Sequence, residues 1–181
     1  MLKKIEIFTD GSCLYNPGPG GLCAITRYKK YQKVIKFGFY YTTNNRMELM
    51  AAILGLESLL EPCIVNLITD SQYLRLGIIL WIHSWKKNYW LTKNKKPVCN
   101  QDLWLRLDQV IRKHNINWIW TKSHTNHKEN TMCDKIAKKE ARNPKKTDLY
   151  SEQKIKYSIL KKNSDIIIKN QKKVYLINKK F

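Results

Sequence analysis

The chain has 181 residues, 43% hydrophobic and 11% aromatic, with 34 basic against 14 acidic side chains for a net charge of +20. That length suits one buried core with an appendage, and the apolar content excludes a disordered polycation. No apolar run approaches the roughly 20 residues of a membrane span, and Glu6 and Asp10 interrupt the apolar N-terminal stretch, which argues against a signal peptide.

In chain order, residues 3–13 alternate Ile5 and Ile7 with Lys4 and Glu6, then run through Phe8 into Thr9-Asp10-Gly11-Ser12, the pattern of a strand ending in a turn. Asn16-Pro17-Gly18-Pro19-Gly20-Gly21 reads as loop. Leu22–Tyr28 and Tyr31–Thr42 are rich in β-branched and aromatic residues and read as two hairpin strands around Lys29-Lys30. The period then changes. Asn45–Leu60 consists of strong helix formers and is closed by Pro62. Ile64–Thr69 is a short strand ending in Thr69-Asp70-Ser71, and helices are predicted over 71–80 and 81–89. Leu103, Leu107, Val110 and Ile111 mark an amphipathic helix led by Asp102. Asn115–Thr121 is a strand with Ile116, Trp118 and Trp120 on one face, and Trp104, Trp118 and Trp120 are expected in the core. Glu129–Arg142 is the final helix. A meander followed by crossovers predicts an α/β fold with a mixed sheet covered by helices. Composition shifts after Asn143-Pro144: residues 143–181 carry a net +8 and residues 1–142 a net +12. The division is therefore a domain over 1–142 and a lysine-rich C-terminal extension over 143–181, in which Asp165–Ile168 and Val174–Ile177 have the make-up of a strand pair.

A charge of +20 suits a polyanionic partner such as nucleic acid or an anionic membrane surface. The basic residues are 28 Lys to 6 Arg, alongside many Ile and Asn, a bias that A/T-rich codons also produce, so charge alone leaves function open. The five cysteines (Cys13, Cys23, Cys63, Cys99, Cys133) are odd in number, widely spaced and without a CxxC, which speaks against a disulfide framework or zinc site and for a reducing, cytosolic setting.

Four carboxylates stand out. Asp10 and Asp70 sit in matching strand-end patterns, where open α/β sheets place ligands. On neighbouring strands they would repel unless a proton or cation lay between them; as single residues, each also reads as the cap of the following turn or helix. Glu48 is a charge inside the apolar run Met47–Leu54, or else the far end of a capping box with Asn45 as N-cap. Asp134 is near the start of the last helix, where it also suits the helix dipole. Four hard oxygen ligands suit Mg²⁺ or Mn²⁺ rather than zinc, and two such ions about 4 Å apart can act on both sides of a phosphodiester. His124, between the last strand and helix, suits proton transfer or product release beside such a site; zinc on His124, His127 and Cys133 lacks a fourth ligand. The stretch 81–96 has five lysines, no acid, and Trp81 and Trp85 at i,i+4. It reads equally as a nucleic-acid grip and as core tryptophans beneath a solvated lysine face.

Together the motifs IFTDGSC (7–13), NPGPGG (16–21), TTNNRMELMAA (42–52), TDSQY (69–73), WIH-x-WKK (81–87), KKPV-x-N-x-DLW (95–104), KSHTNH-x-EN (122–130) and CD-x-I-A (133–137) resemble bacterial type 1 ribonuclease H, the ribonuclease HI group, over roughly residues 1–142. The resemblance implies a ribonuclease H-like fold, a five-stranded mixed sheet of three antiparallel then two parallel strands flanked by helices. It implies a monomeric, cytoplasmic, Mg²⁺-dependent endonuclease that cuts the RNA strand of RNA–DNA hybrids, leaving 5′-phosphate and 3′-hydroxyl ends, with Mn²⁺ as a substitute ion and no obligate protein partner. Asp10, Glu48, Asp70 and Asp134 match the family's metal-binding carboxylates and His124 its catalytic-loop histidine. Gly11, Cys13, Asn16, Asn44, Asn45 and Gln72 match positions lining the hybrid's grooves, where 2′-hydroxyls identify RNA. Thr43 matches part of a phosphate pocket. Trp81, Trp85, Lys86 and Lys87 belong to a basic protrusion against the DNA strand.

The chain departs from that pattern at Tyr15, where glycine is usual and a positive φ is expected, at Tyr41 and Ser84 near the phosphate pocket, and at Ser123 and Asn126 in the His124 loop. Two alternatives stand beside the leading reading. One is another nuclease of this fold, such as an integrase or resolvase, which lacks the carboxylate set combined with the protrusion. The other is a catalytically weak hybrid-binding module, against which the retained acids speak.

Overall fold

Alternating apolar residues make Lys3–Cys13 the central strand β1 of a computed structural model that describes residues 1–121, 128–151 and 153. Around it Gly18–Tyr28 (β2), Tyr31–Thr42 (β3), Cys63–Thr69 (β4) and Asn115–Trp120 (β5) form one five-stranded sheet in the order β3-β2-β1-β4-β5. The β1–β2 and β2–β3 pairs are antiparallel and the β1–β4 and β4–β5 pairs parallel, the mixed sheet expected from the sequence.

The helices are α1 (Asn44–Glu57), α2 (Gln72–Leu76), α3 (Ile82–Lys87), α4 (Gln101–Ile111) and α5 (Lys128–Arg142). Strand alternation sends Ile5 and Ile7 of β1 into a core with Leu49, Ile53 and Leu56 of α1 and Trp104 and Leu107 of α4. Phe8 leaves the sheet on its other face and packs with Cys23, Ile25 and Ile68 against Cys133 and Ala137 of α5. Each face of the sheet is thus covered by its own helical layer, the usual solution for a mixed sheet.

Several local expectations change. The segment 16–21 is not all loop, because β2 begins at Gly18 and pairs Gly20 and Gly21 with Cys13 and Ser12. These glycines serve packing rather than turning: a Cβ on Gly21 would lie 2.2 Å from the Ala137 carbonyl oxygen and 2.4 Å from the Ala141 nitrogen, so α5 can cross here only over a bare backbone. Thr43, not Asn45, caps α1, its Oγ1 accepting from the Arg46 nitrogen at 3.4 Å, which removes the capping-box role for Glu48. The helix ends at Glu57, short of the expected Leu60. Between α2 and α3 the chain makes a π-helical turn, Gly77–Trp81, where two separate helices are predicted. A Cβ on Gly77 would meet the Trp104 indole at 1.9 Å, so the wide turn follows the ring that fills the core beneath it. Trp120 is only half-buried.

Tyr15 takes φ 59° with its side chain 91% exposed. A non-glycine residue in this region costs about 1 kcal/mol, and the exposed ring recovers none of it by burial.

Two compact units divide the chain, Met1–Lys146 and Thr147–Phe181. Within the first, residues 143–146 run beside β3: the Lys145 and Lys146 amides donate to the Gly38 carbonyl at 3.0 and 2.9 Å, and the Tyr40 amide donates to the Lys146 carbonyl at 2.9 Å. In the second, Ser151 Oγ donates to Asp148 Oδ2 at 3.1 Å. The expected strands at 165–168 and 174–177 lie outside the described residues. No helix among the described residues is long and apolar enough to cross a membrane.

Candidate active site

The parallel register carries two acids to one place. Ile7 faces Leu67 and Phe8 faces Ile68 across β1 and β4, so Asp10 and Asp70 each stand two residues beyond the same rung. Neither caps a helix, since Ser71 Oγ performs that service for α2 by accepting from the Leu74 nitrogen at 3.2 Å. The third acid arrives from α1. A Cβ on Gly11 would sit 2.4 Å from the Glu48 nitrogen and 2.6 Å from the Met47 carbonyl carbon, so the absent side chain lets the α1 backbone close on β1 beside Asp10. One carboxylate oxygen each from Asp10, Glu48 and Asp70 lies within 4.8 Å of the others. They open into a cavity of about 470 Å³ whose wall includes Gly11, Asn44, Asn45, Gln72 and Asp134.

The electrostatics follow from the crowding. Burial, then the charges of Asp70 and Asp134, push the Asp10 carboxyl up to about 7, against a Gly11 backbone hydrogen bond and the Lys138 ammonium. Burial, then Asp10 and Asp70, raise Glu48 well above its ordinary range, although the Gly11 backbone and the Asn44 side chain hydrogen-bond to it. Glu48 is 6% exposed and its Oε2 accepts no bond from the protein. Three acids with an orphaned oxygen among them fit a hard divalent cation, which would satisfy that oxygen and cancel the repulsion. Asp134 lies in the second turn of α5, beyond the reach of a first-turn dipole effect. It pairs with Lys138 at 2.7 Å on the cavity wall and stands outside the 4.8 Å group. His124 lies outside the described residues.

The remaining site candidates fall into two groups. Cys13, Asn16, Thr43 and Asn44 gather where the β1–β2 connection meets α1: Asn16 Oδ1 accepts from the Asn44 amide at 3.0 Å, and Cys13 Sγ lies 3.5 Å from the Gly18 and Thr42 carbonyl oxygens. Trp81 and Trp85 lie in a chain of aromatic contacts, Tyr73 to Trp81 at 5.9 Å, Trp81 to Trp85 at 5.6 Å and Trp85 to the buried Trp104 at 5.3 Å. Both are half-buried, so each indole packs on the core and keeps part of its surface for solvent. Lys86 is engaged: its ammonium lies 2.8 Å from the buried Asp108, which also binds Arg112. Burial alone would push Asp108 up, but these two cations hold it below the usual carboxylate range. Lys87 is exposed. Cys133 Sγ donates to the Phe8 carbonyl at 3.3 Å inside the core, and His127, like His124, lies outside the described residues.

The sequence of residues 2–142 matches the profile of the RNase H family. The chain belongs to the ribonuclease H family. It is therefore a hydrolytic nuclease. The chain is 58% identical over 148 residues to Ribonuclease H of Photorhabdus laumondii, covering 82% of this chain and 95% of that one. It is 59% identical over 144 residues to Ribonuclease H of Yersinia pestis, covering 80% and 94%. Among solved structures it resembles LC9-RNase H1, a type 1 RNase H with the type 2 active-site motif, at 26% identity and a TM-score of 0.72 over 80% of this chain and 75% of that one. Its fold also matches LC11-RNase H1, solved in complex with RNA/DNA hybrid, at 19% identity and a TM-score of 0.59 over 77% and 97%.

Sequence reasoning missed several residues of the family's cavity in this chain. Thr9, Ser71, Asn130, Thr131 and Lys138 also line it. For Asn130 and Lys138 the signal was available, because 130, 134 and 138 fall on one face of a helix. Trp120, expected in the core, instead donates its indole N–H to the Asp70 carbonyl at 3.3 Å and stacks under Arg75 at 4.9 Å, bracing the strand end that presents the acid. Arg46 joins both Asp102 oxygens at 2.9 and 2.8 Å and so ties α1 to the start of α4, behind the protrusion.

Proposed function

We propose that this protein hydrolyses the RNA strand of RNA–DNA hybrids as a Mg²⁺-dependent, cytoplasmic monomer, with Asp10, Glu48, Asp70 and Asp134 as metal ligands. The observation that carries this reading is the convergence of Asp10 and Asp70 on the buried Glu48, with its orphaned oxygen. When bound, two divalent ions, with Mn²⁺ as a substitute, supply Lewis acidity to the scissile phosphate and its attacking water. The water oxygen bonds to phosphorus, the P–O3′ bond breaks, one water proton ends on O3′ and the other passes to solvent, leaving 5′-phosphate and 3′-hydroxyl ends. His124 is assigned the release of product by proton exchange. Asn44, Asn45 and Gln72 line the cavity and offer short polar groups for 2′-hydroxyls, while Gly11 leaves the backbone bare there. Cys13, Asn16 and Thr43 meet the minor groove and a phosphate beside them. Trp81 and Trp85 offer half-exposed indoles to the DNA sugars. All five cysteines are free, in keeping with a reducing compartment. The relatives named Ribonuclease H support the substrate class. The test is incubation with an RNA–DNA hybrid, duplex RNA and duplex DNA, with and without Mg²⁺. Cleavage of the hybrid's RNA strand alone, dependent on the ion, is expected, and metal-independent cleavage overturns the assignment.

Lys86 and Lys87 should separate in a salt titration. Lys87→Ala is expected to weaken hybrid binding and lower the slope of log K against log[salt] by about 1. Lys86→Ala is expected to change the slope less and to lower the melting temperature, because the buried Asp108 keeps only Arg112 of its two cationic partners. Equal slopes for both variants would make Lys86 a phosphate contact despite its ion pair.

A further inference from the structure

Among the described residues four buried side-chain polar atoms lack a partner, and three of them, Thr9 Oγ1, Glu48 Oε2 and Asn130 Oδ1, belong to residues lining the carboxylate cavity. A buried polar atom left unpaired costs about 1–3 kcal/mol, so three on residues that line one cavity call for partners the protein does not supply. A divalent cation would satisfy Glu48 Oε2. Asn130 Oδ1 needs a different account. It stands one helical turn before Asp134 on α5, and an amide oxygen there adds no charge to an already crowded set of carboxylates. A carboxylate outcompetes an amide for a hard cation, so the group an amide oxygen best serves in this cavity is a hydrogen-bond donor. The other end of the amide is fixed: Asn130 Nδ2 donates to Thr121 Oγ1 at 2.8 Å, and the Thr121 backbone nitrogen in turn donates to the Thr69 carbonyl at 3.0 Å, one residue before Asp70. The amide is held at its nitrogen by a group tied to the strand that presents Asp70, and its oxygen is left as an unpaired acceptor.

We propose that Asn130 is a positioning residue for the hydrolytic water, accepting one of its protons through Oδ1 while Thr121 locks the amide in that orientation. The proposal rests on the hydrolysis described above. It adds a neutral acceptor, held by Thr121, that limits the directions in which the water can present its lone pair to phosphorus.

The experiment measures hybrid cleavage at saturating Mg²⁺, Mn²⁺ binding by calorimetry without hybrid, and thermal melting, for wild type, Asn130→Ala, Asn130→Asp and Thr121→Val. Asn130→Ala is expected to lose about 10²-fold in kcat with KM and Mn²⁺ affinity within twofold of wild type. Asn130→Asp keeps an acceptor oxygen and is expected to retain more activity than the alanine. Thr121→Val keeps the acceptor but frees the amide, and is expected to lose about tenfold in kcat. A kcat loss in Asn130→Ala matched by an equal loss of Mn²⁺ affinity would make Asn130 a ligand instead and overturn the proposal, as would wild-type kcat in that variant. Should Asn130→Ala fail to fold, wild-type kcat in Thr121→Val overturns it. A wild-type protein that leaves the hybrid intact fails the hydrolase reading itself, a separate result.

Discussion

Asp70→Asn is expected to lower hybrid cleavage by at least about 10³-fold, a barrier increase of about 4 kcal/mol, while hybrid affinity stays within a few-fold of wild type. The substitution keeps the shape of the side chain and removes one of three charges whose oxygens lie within 4.8 Å of one another. Two carboxylates cannot hold a hard cation as three do, and the chemistry assigned to this site depends on that cation. The binding role proposed above belongs to other surfaces, the half-buried indoles of Trp81 and Trp85 and the exposed Lys87, which the substitution does not touch. Removing an acid from a surface that meets phosphates also relieves repulsion, so affinity has no reason to fall. Single-turnover cleavage in Mg²⁺ and hybrid binding in EDTA separate the two effects. Retention of more than a tenth of the wild-type rate would remove Asp70 from the ligand set, and a parallel loss of binding would make its role structural. Asp134→Asn is expected to cost less, because Asp134 is already paired with Lys138 and stands outside the three-acid group.

The acids were legible in the sequence because strand periodicity and chain order together define a rung. Once Ile5–Phe8 and Ile64–Thr69 are read as neighbouring parallel strands, Thr9-Asp10 and Thr69-Asp70 must end side by side, and the pairing of Phe8 with Ile68 is that arrangement. Glu48 was legible as a charge in an apolar helix, but its approach to Asp10 depends on Gly11 admitting the helix backbone, a contact between segments that no local pattern encodes. The same limit explains the glycines at 20 and 21. Their composition signals a turn, yet they lie in β2 because α5 passes over Gly21 and Thr42 and Met47 crowd Gly20. Four consecutive polar residues, Thr42 to Asn45, all suit a helix cap, and only the position of the Arg46 amide selects Thr43. Lys86 reads as one more positive charge until α4 brings Asp108 beneath it, so counting lysines overstated the charge available to a phosphate.

The metal-free protein is expected to gain about 4 kcal/mol of stability from Asp10→Asn at pH 8, with the gain shrinking toward zero as pH falls below about 4. Burial and the neighbouring acids raise the Asp10 carboxyl from 3.8 to about 7 in the folded chain. A carboxyl raised on folding holds its proton more tightly in the folded state. Wild-type stability therefore falls as pH climbs from about 4 to about 7, and above that the full cost of an ionised Asp10 is present. Asparagine keeps the volume and carries no charge, so it is spared that cost, and the two proteins converge where Asp10 is protonated in both folded and unfolded states. Mg²⁺ should reverse the order at pH 8. It binds the folded wild type, offsets the repulsion among Asp10, Glu48 and Asp70, and stabilises that protein by mass action, while the variant has lost a ligand and gains less. Urea midpoints at pH 4, 6 and 8, each with and without Mg²⁺, measure all of this. A variant less stable than wild type at pH 8 without metal would mean that the three acids do not repel across this cavity. A Mg²⁺ effect equal in both proteins would mean that Asp10 does not bind the ion.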